Sequence, residues 1–123
     1  MRFLSEEWVD ALVAALNGSS DLRDVDVTIH QVVTGATDGD VAYWLAFDRG
    51  TVTGGTGAPS DKADVTITMD HATATDLARE EINAQAAFMQ GRLKVTGNMG
   101  KLLQHQAAIA ALGPSMASIS TDL

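Results

Sequence analysis

The order of apolar and polar residues along the chain changes its period several times, and each change predicts a helix or a strand. Near the start, apolar residues recur at the spacing of one helix face: Trp8, Leu12, Ala15 and Leu16. Ser5 supplies a capping hydroxyl, and the two glutamates after it lie near the positive end of the helix dipole. The Asn-Gly pair at 17–18 predicts the end of this helix.

The next part of the chain has the alternation of β-strands. Four segments show it: 25–33, 41–50, 51–57 and 63–70. In the second segment the side chains of both faces are apolar, which predicts a strand that is central or covered on both sides. The third segment is rich in glycine, so it is either a weak strand or partly loop.

The second half of the chain returns to helical spacing. A helix is predicted over 71–81, where Thr73 and Asp76 have the spacing of a capping box. The pattern then predicts a short apolar helix, a fifth strand, a last helix and a loosely held tail: 83–91, 92–97, 98–112 and about 113–123.

This order of elements predicts an α+β fold, with a five-stranded, mostly antiparallel sheet and helices packed on one face. The length of 123 residues fits one domain over 1–123, large enough for one core.

Composition and charge exclude several classes of function. The absence of cysteine excludes disulfides, thiol catalysis and thiolate metal sites. A net charge of −8 opposes binding to nucleic acid and tight docking on anionic membranes. No apolar run has the length of a signal peptide or a bilayer span, so we expect a cytoplasmic protein without stable membrane insertion.

Few residues of the chain are candidates for catalysis or metal binding. The three histidines, His30, His71 and His105, lie on different predicted elements, and no pair has the spacing of metal ligands. Ser115 and Ser118 have no candidate base nearby in the sequence, and the glycine-containing segments lack the spacing of phosphate or dinucleotide loops. We therefore expect no catalytic residue, no metal and no cofactor, and the protein is predicted not to be an enzyme.

One segment differs from the rest of this acidic chain. Between Ile82 and Thr121 there is no Asp or Glu, although Arg92, Lys94 and Lys101 are present. Two glutamines interrupt apolar stretches there, at positions 90 and 106. In a packed core each amide must find hydrogen-bond partners, whereas in a ligand cavity it can orient an apolar guest. The spacing leaves both interpretations open.

The same region carries a resemblance. Segments 63–68 (ADVTIT) and 87–100 (AFMQGRLKVTGNMG), with a helix between them, resemble the sterol carrier protein 2 family. The resemblance implies a sheet and helices that enclose a hydrophobic tunnel. It also implies non-enzymatic binding or transfer of a fatty acid, fatty acyl-CoA, sterol or phospholipid.

Site residues carried over from the resemblance fall in the second half of the chain. We expect these side chains, together with Gln106, to line or border the tunnel: Phe88, Met89, Gln90, Leu93, Val95, Met99, Leu102 and Leu103. Arg92, Lys94 and Lys101 would form a basic rim that favours an anionic head group. The alternative is a solvated strand face with no such role.

Two other functions remain open at this point. An accessory or dimerisation module would have a cavity filled with side chains, which leaves a homodimer open. A small enzyme on an apolar substrate would use a buried Asp or His. The chain ends in Thr-Asp-Leu and not in the Ser-Lys-Leu type of peroxisomal address, which favours a cytoplasmic, stand-alone, bacterial type of lipid-binding domain.

Overall fold

A computed structural model describes residues 3–17, 22–36, 39–57, 63–105, 108, 115 and 119. The helices are α1 Glu6–Asn17, α2 His71–Ala78, α3 Ala84–Met89 and α4 Met99–Gln104. The strands are β1 Asp26–Ala36, β2 Gly39–Asp48, β3 Thr51–Thr56, β4 Val65–Asp70 and β5 Lys94–Gly97.

The five strands form one sheet in the order β3-β2-β1-β4-β5. Strand β1 pairs antiparallel with β2 and parallel with β4, and the two outer pairs are antiparallel. The parallel pair arises because the chain crosses from β3, at one edge, to the far side of β1 before it enters β4. The predicted α+β fold with a mostly antiparallel sheet is confirmed.

One face of the sheet forms the core. The register brings alternate residues of neighbouring strands into rows, such as Val52, Phe47 and Val27 or Leu45, Ile29 and Val65. All six of these side chains are buried. This is the consequence of a period of two on a half-buried sheet, because every second side chain points to the helices.

Helix α1 covers the β2–β3 end of this face. Its apolar stripe is buried, and Trp8 contacts Tyr43 edge to face with ring centroids 5.4 Å apart. Gly54 on β3 permits the close approach, since a Cβ there would lie 2.8 Å from a methyl group of Val13. The glycine-rich segment is therefore a complete strand, and its glycine has a packing role.

Helix α2 contacts β1 and β4. Its N-cap is Asp70, whose side chain accepts a hydrogen bond of 2.7 Å from the backbone N–H of Thr73. The predicted capping box of Thr73 and Asp76 is therefore wrong. Thr73 lies within the first turn and is buried, because the acid that ends β4 already occupies the capping position.

Strand β2 lies between β3 and β1, which confirms the first of the two predicted alternatives, a central strand; the side chains of its other face, Ala42, Trp44 and Ala46, are half-buried. Boundaries in the second half of the chain differ from the sequence prediction. Strand β5 begins at Lys94, two residues later than predicted. Helix α4 ends at Gln104, and most of the predicted last helix beyond it and most of the tail lie outside the described residues, although Ile119 packs against the core.

Candidate functional site

The segment from Ala84 to Gln104 is here called the α3–β5–α4 segment. Its strand β5 pairs with β4 and forms one edge of the sheet. The N-cap of helix α3 is Asn83, whose side chain accepts a hydrogen bond of 2.7 Å from Ala86 N–H. It ends before Gly91, whose φ of +76° turns the chain towards β5. The turn is closed by Arg92 N–H, which donates to Ala87 O at 2.9 Å.

The turn from β5 into α4 depends on a second glycine. Gly97 has φ of +111°, and a Cβ there would overlap the backbone carbonyl of Asp64. Asn98 N–H donates to that same carbonyl at 2.8 Å, and the Asn98 side chain caps α4 by accepting from Lys101 N–H at 3.0 Å. These bonds fix the start of α4 against the first residues of β4.

Exposed apolar side chains are concentrated on α3 and α4. Among the described residues, every large hydrophobic side chain that is exposed lies there: Phe88 (50%), Met89 (78%), Met99 (38%) and Leu103 (62%). Elsewhere in the described structure, large apolar side chains are buried or partly buried. The arrangement therefore presents apolar surface to solvent on the two helices that flank β5.

The other residues predicted to line the site divide into two groups. Leu93 is buried, while Val95 and Leu102 are partly buried and pack against the core. Gln90 is exposed at the end of α3, and Gln106 lies outside the described residues. The predicted set thus spans the α3–β5–α4 segment from core to solvent.

The predicted rim residue Arg92 joins this segment to α2. Its Nη2 forms an ion pair of 2.7 Å with Asp76, and its Nε donates to the Thr73 hydroxyl at 3.1 Å. The hydrogen bond from the guanidinium is the main reason that the pKa of Asp76 is lower than usual.

The other two predicted rim cations differ in their surroundings. Lys101 on α4 lies 3.1 Å from Asp64, whose carboxylate also accepts a hydrogen bond of 2.8 Å from Thr28 N–H. Lys94 is exposed on β5. Two of the three cations therefore have a carboxylate partner within the chain, and their charge is partly compensated.

A polar group that the sequence reasoning missed lies on the inner face of the sheet. Gln31 is 2% exposed, and on the register it faces Tyr43 of β2 on one side and Ile67 of β4 on the other. Its position was visible in the sequence, because it breaks the inward series Val27, Ile29, Val33 with an amide. Burial raises the pKa of Tyr43, since the apolar surroundings oppose the charged phenolate.

Two nitrogen atoms of this inner group are buried without a partner. Within the described part of the chain, neither Gln31 Nε2 nor the indole Nε1 of Trp8 makes a hydrogen bond. Trp8 is 0% exposed and contacts Tyr43, the residue that lies opposite Gln31. Two residues with unused hydrogen-bond donors are therefore both neighbours of Tyr43.

Two other kinds of site were sought in the described residues. No group of three or more His, Asp or Glu side chains there is placed to hold a metal ion. In the same residues, no helix combines the length and the apolar character that crossing a membrane requires.

Comparison with known proteins finds relatives that include a dehydrogenase-like protein and sterol carrier protein 2. The chain is 32% identical over 85 residues to hydroxysteroid dehydrogenase-like protein 2 of Xenopus laevis, which is 69% of this chain and 20% of that protein. It is 49% identical over 45 residues to sterol carrier protein 2 of Homo sapiens, which is 37% of this chain and 8% of the relative. The chain thus matches only a small part of each relative.

The fold is similar to that of a solved structure. A crystal structure of sterol carrier protein 2 superposes with a TM-score of 0.83 at 20% identity, over 97% of this chain and 100% of the other. At that identity the likeness concerns the fold. The sequence model of the SCP-2 sterol transfer family matches residues 2–110, which is nearly the whole chain. The chain belongs to the SCP-2 sterol transfer family.

Proposed function

We propose that the protein binds a lipid in an apolar tunnel between the sheet and the helices and transfers it without catalysis. The lipid is a fatty acid, fatty acyl-CoA, sterol or phospholipid, and α3 and α4 border the entrance. The observation that carries the proposal is the exposure of Phe88, Met89, Met99 and Leu103 on those two helices. Because the chain belongs to a sterol transfer family, we interpret these exposed side chains as lipid-binding surface.

The energetics favour a lipid as the molecule that covers these side chains. Apolar surface in water costs about 25 cal/mol per Å², and contiguous exposed patches on soluble proteins commonly mark a binding site. A lipid chain contributes about 0.8 kcal/mol for each methylene that it buries. The free energy gained when the ligand and these side chains cover each other therefore offsets the entropy that is lost on association.

The charges of the segment limit the role of a basic rim. Arg92 and Lys101 are each ion-paired with an aspartate, so an anionic head group would have to compete with those carboxylates. Lys94 alone of the three is exposed without an ion pair in the described structure. We therefore expect only a weak electrostatic preference for anionic lipids, one that salt screens.

The same exposed side chains support a second candidate, the dimerisation module. Two copies that bury α3 and α4 against each other would remove the same apolar surface from water. The two candidates differ in stoichiometry, because a carrier holds lipid as a monomer and a module associates without lipid.

The first test is native mass spectrometry of freshly purified protein, followed by organic extraction. We expect a stoichiometric lipid on the monomer. A Phe88→Ser/Met89→Ser variant should lose that lipid, while Gln85→Ser, at an exposed position of the same helix, should keep it. Empty protein that also fails to take up a fluorescent fatty acid contradicts the proposal, and an empty dimer supports the module.

A further inference from the structure

We infer that Gln31 and Trp8 form a buried pair of hydrogen-bond donors for an uncharged oxygen atom, a carbonyl or a hydroxyl, of the apolar ligand. The inference rests on the proposed lipid binding and adds the chemistry of the ligand's buried end. Neither residue belongs to the α3–β5–α4 segment, so this group is a separate part of the site.

The fold makes both donor residues neighbours of Tyr43. Directly opposite residues of an antiparallel pair have side chains on the same face, with Cβ atoms about 5 Å apart. Gln31 and Tyr43 are such a pair, and the Trp8 ring contacts the Tyr43 ring edge to face. All three side chains are buried, and each is at most 2% exposed.

Leaving these donors without a partner is energetically unfavourable. A buried donor that loses its hydrogen bond costs about 1–3 kcal/mol, and the great majority of buried polar atoms in proteins have a partner. Here Gln31 Nε2 and Trp8 Nε1, on two residues that both neighbour Tyr43, have none in the described structure. A ligand oxygen that reaches these side chains would supply the acceptor that they lack.

The surroundings determine which acceptor fits. Along and across the strands, the neighbours of Gln31 on this face are Ile29, Val33, Ile67 and Tyr43. Trp8 contacts two aromatic rings, of Phe3 and Tyr43. Because these neighbours carry no positive charge, a carboxylate or phosphate there would be buried without a counter-ion, which is strongly unfavourable. An ester or ketone carbonyl or an alcohol hydroxyl meets no such penalty.

The test compares methyl palmitate with an alkane of matched chain length, added to ¹⁵N-labelled protein. We expect the ester, but not the alkane, to move the Trp8 indole N–H and Gln31 side-chain amide signals downfield. Trp44 is the internal reference. It lies on the opposite face of β2, with its indole against Gly55. Its indole signal should stay in place with both compounds.

A variant supplies an independent measurement. Gln31→Met keeps the length of the side chain and removes the donor, so the affinity for the ester should fall roughly fivefold while that for the alkane is unchanged. Thr53→Met, at an exposed position on β3 outside the α3–β5–α4 segment, should alter neither affinity.

Distinct outcomes contradict the inference. Equal affinity of the wild type for ester and alkane, with no shift of the Trp8 signal, means that water or the protein itself satisfies the donors, and lipid binding still stands. If the wild type binds neither compound nor any other lipid, the proposed function fails together with the inference.

Discussion

Tyr43 is the single tyrosine of the chain, and it lies in the core beneath α1. Gln31 lies opposite it on β1 and the Trp8 ring contacts its ring, and neither side chain carries a positive charge that could neutralise a phenolate. Tyr43 is therefore a neighbour of the two donor residues that we assign to ligand binding. Its pKa indicates how completely this part of the core is buried.

The ionisation of Tyr43 gives a pH prediction. Burial raises the pKa of Tyr43 above its ordinary value of about 10. The folded state thus retains a proton that the unfolded state loses, so this contribution to stability is complete below about pH 10 and lost as the pH rises further. In an alkaline titration, tyrosinate absorbance should appear only together with the loss of circular dichroism. A separate titration near pH 10 in folded protein would contradict the burial.

A substitution at Gly97 tests the close approach of its backbone to that of Asp64. Gly97→Ala places a methyl group against the carbonyl of Asp64 at a φ of +111°, so we expect a loss of about 2 kcal/mol or more in the free energy of unfolding. Gly91→Ala is the matched control. It has φ of +76° with nothing within 4 Å of the added methyl group, and it should cost about 1 kcal/mol. Equal losses in urea unfolding would show that only the backbone conformation matters.

At the scale of elements, Arg92 fastens the turn between α3 and β5 to α2. The guanidinium binds Asp76 and Thr73, and Thr73 in turn donates its backbone N–H to the N-cap Asp70. The Thr73 hydroxyl, followed by the Thr73 backbone N–H, is the main reason that the pKa of Asp70 is lower than usual, and the Arg92 guanidinium is the main reason for Asp76. The sequence predicted Arg92 as an outward rim residue, and no spacing rule indicated its partners, because they lie on another helix.

The pH dependence of stability tests this connection. A carboxylate whose pKa is lowered by folding stabilises the folded state above its unfolded value of about 4, and the contribution is lost as the pH falls below that value. Arg92→Met removes the main cause of the lowered pKa of Asp76. The variant should therefore be less stable than wild type at pH 7 and should lose less stability on acidification. Arg23→Met, at an exposed position, is the control. Parallel curves of urea midpoint against pH for wild type and Arg92→Met would contradict the assignment.

At the scale of the molecule, the alternation of residues was enough to predict all five strands and the α+β class. It did not predict which strands are parallel, because that depends on where the chain crosses after β3. The resemblance indicated the α3–β5–α4 segment, where all the exposed large apolar side chains of the described structure lie. Gln31 was missed because the spacing of residues does not show that its amide nitrogen is buried without a hydrogen-bond partner in the described structure.

A carrier with exposed apolar helices and unpaired buried donors should be less stable when empty. Ligand that binds only the folded state stabilises it by about 2.7 kcal/mol at one hundred times its Kd, which for a domain of this size raises Tm by roughly 10 °C. We therefore expect protein stripped of lipid to melt at lower temperature and to regain its Tm with added lipid. The Phe88→Ser/Met89→Ser variant should show a smaller gain than Gln85→Ser, because it has lost apolar contacts at the proposed entrance. A Tm independent of lipid but rising with protein concentration would instead favour the dimerisation module, since association then supplies the missing burial.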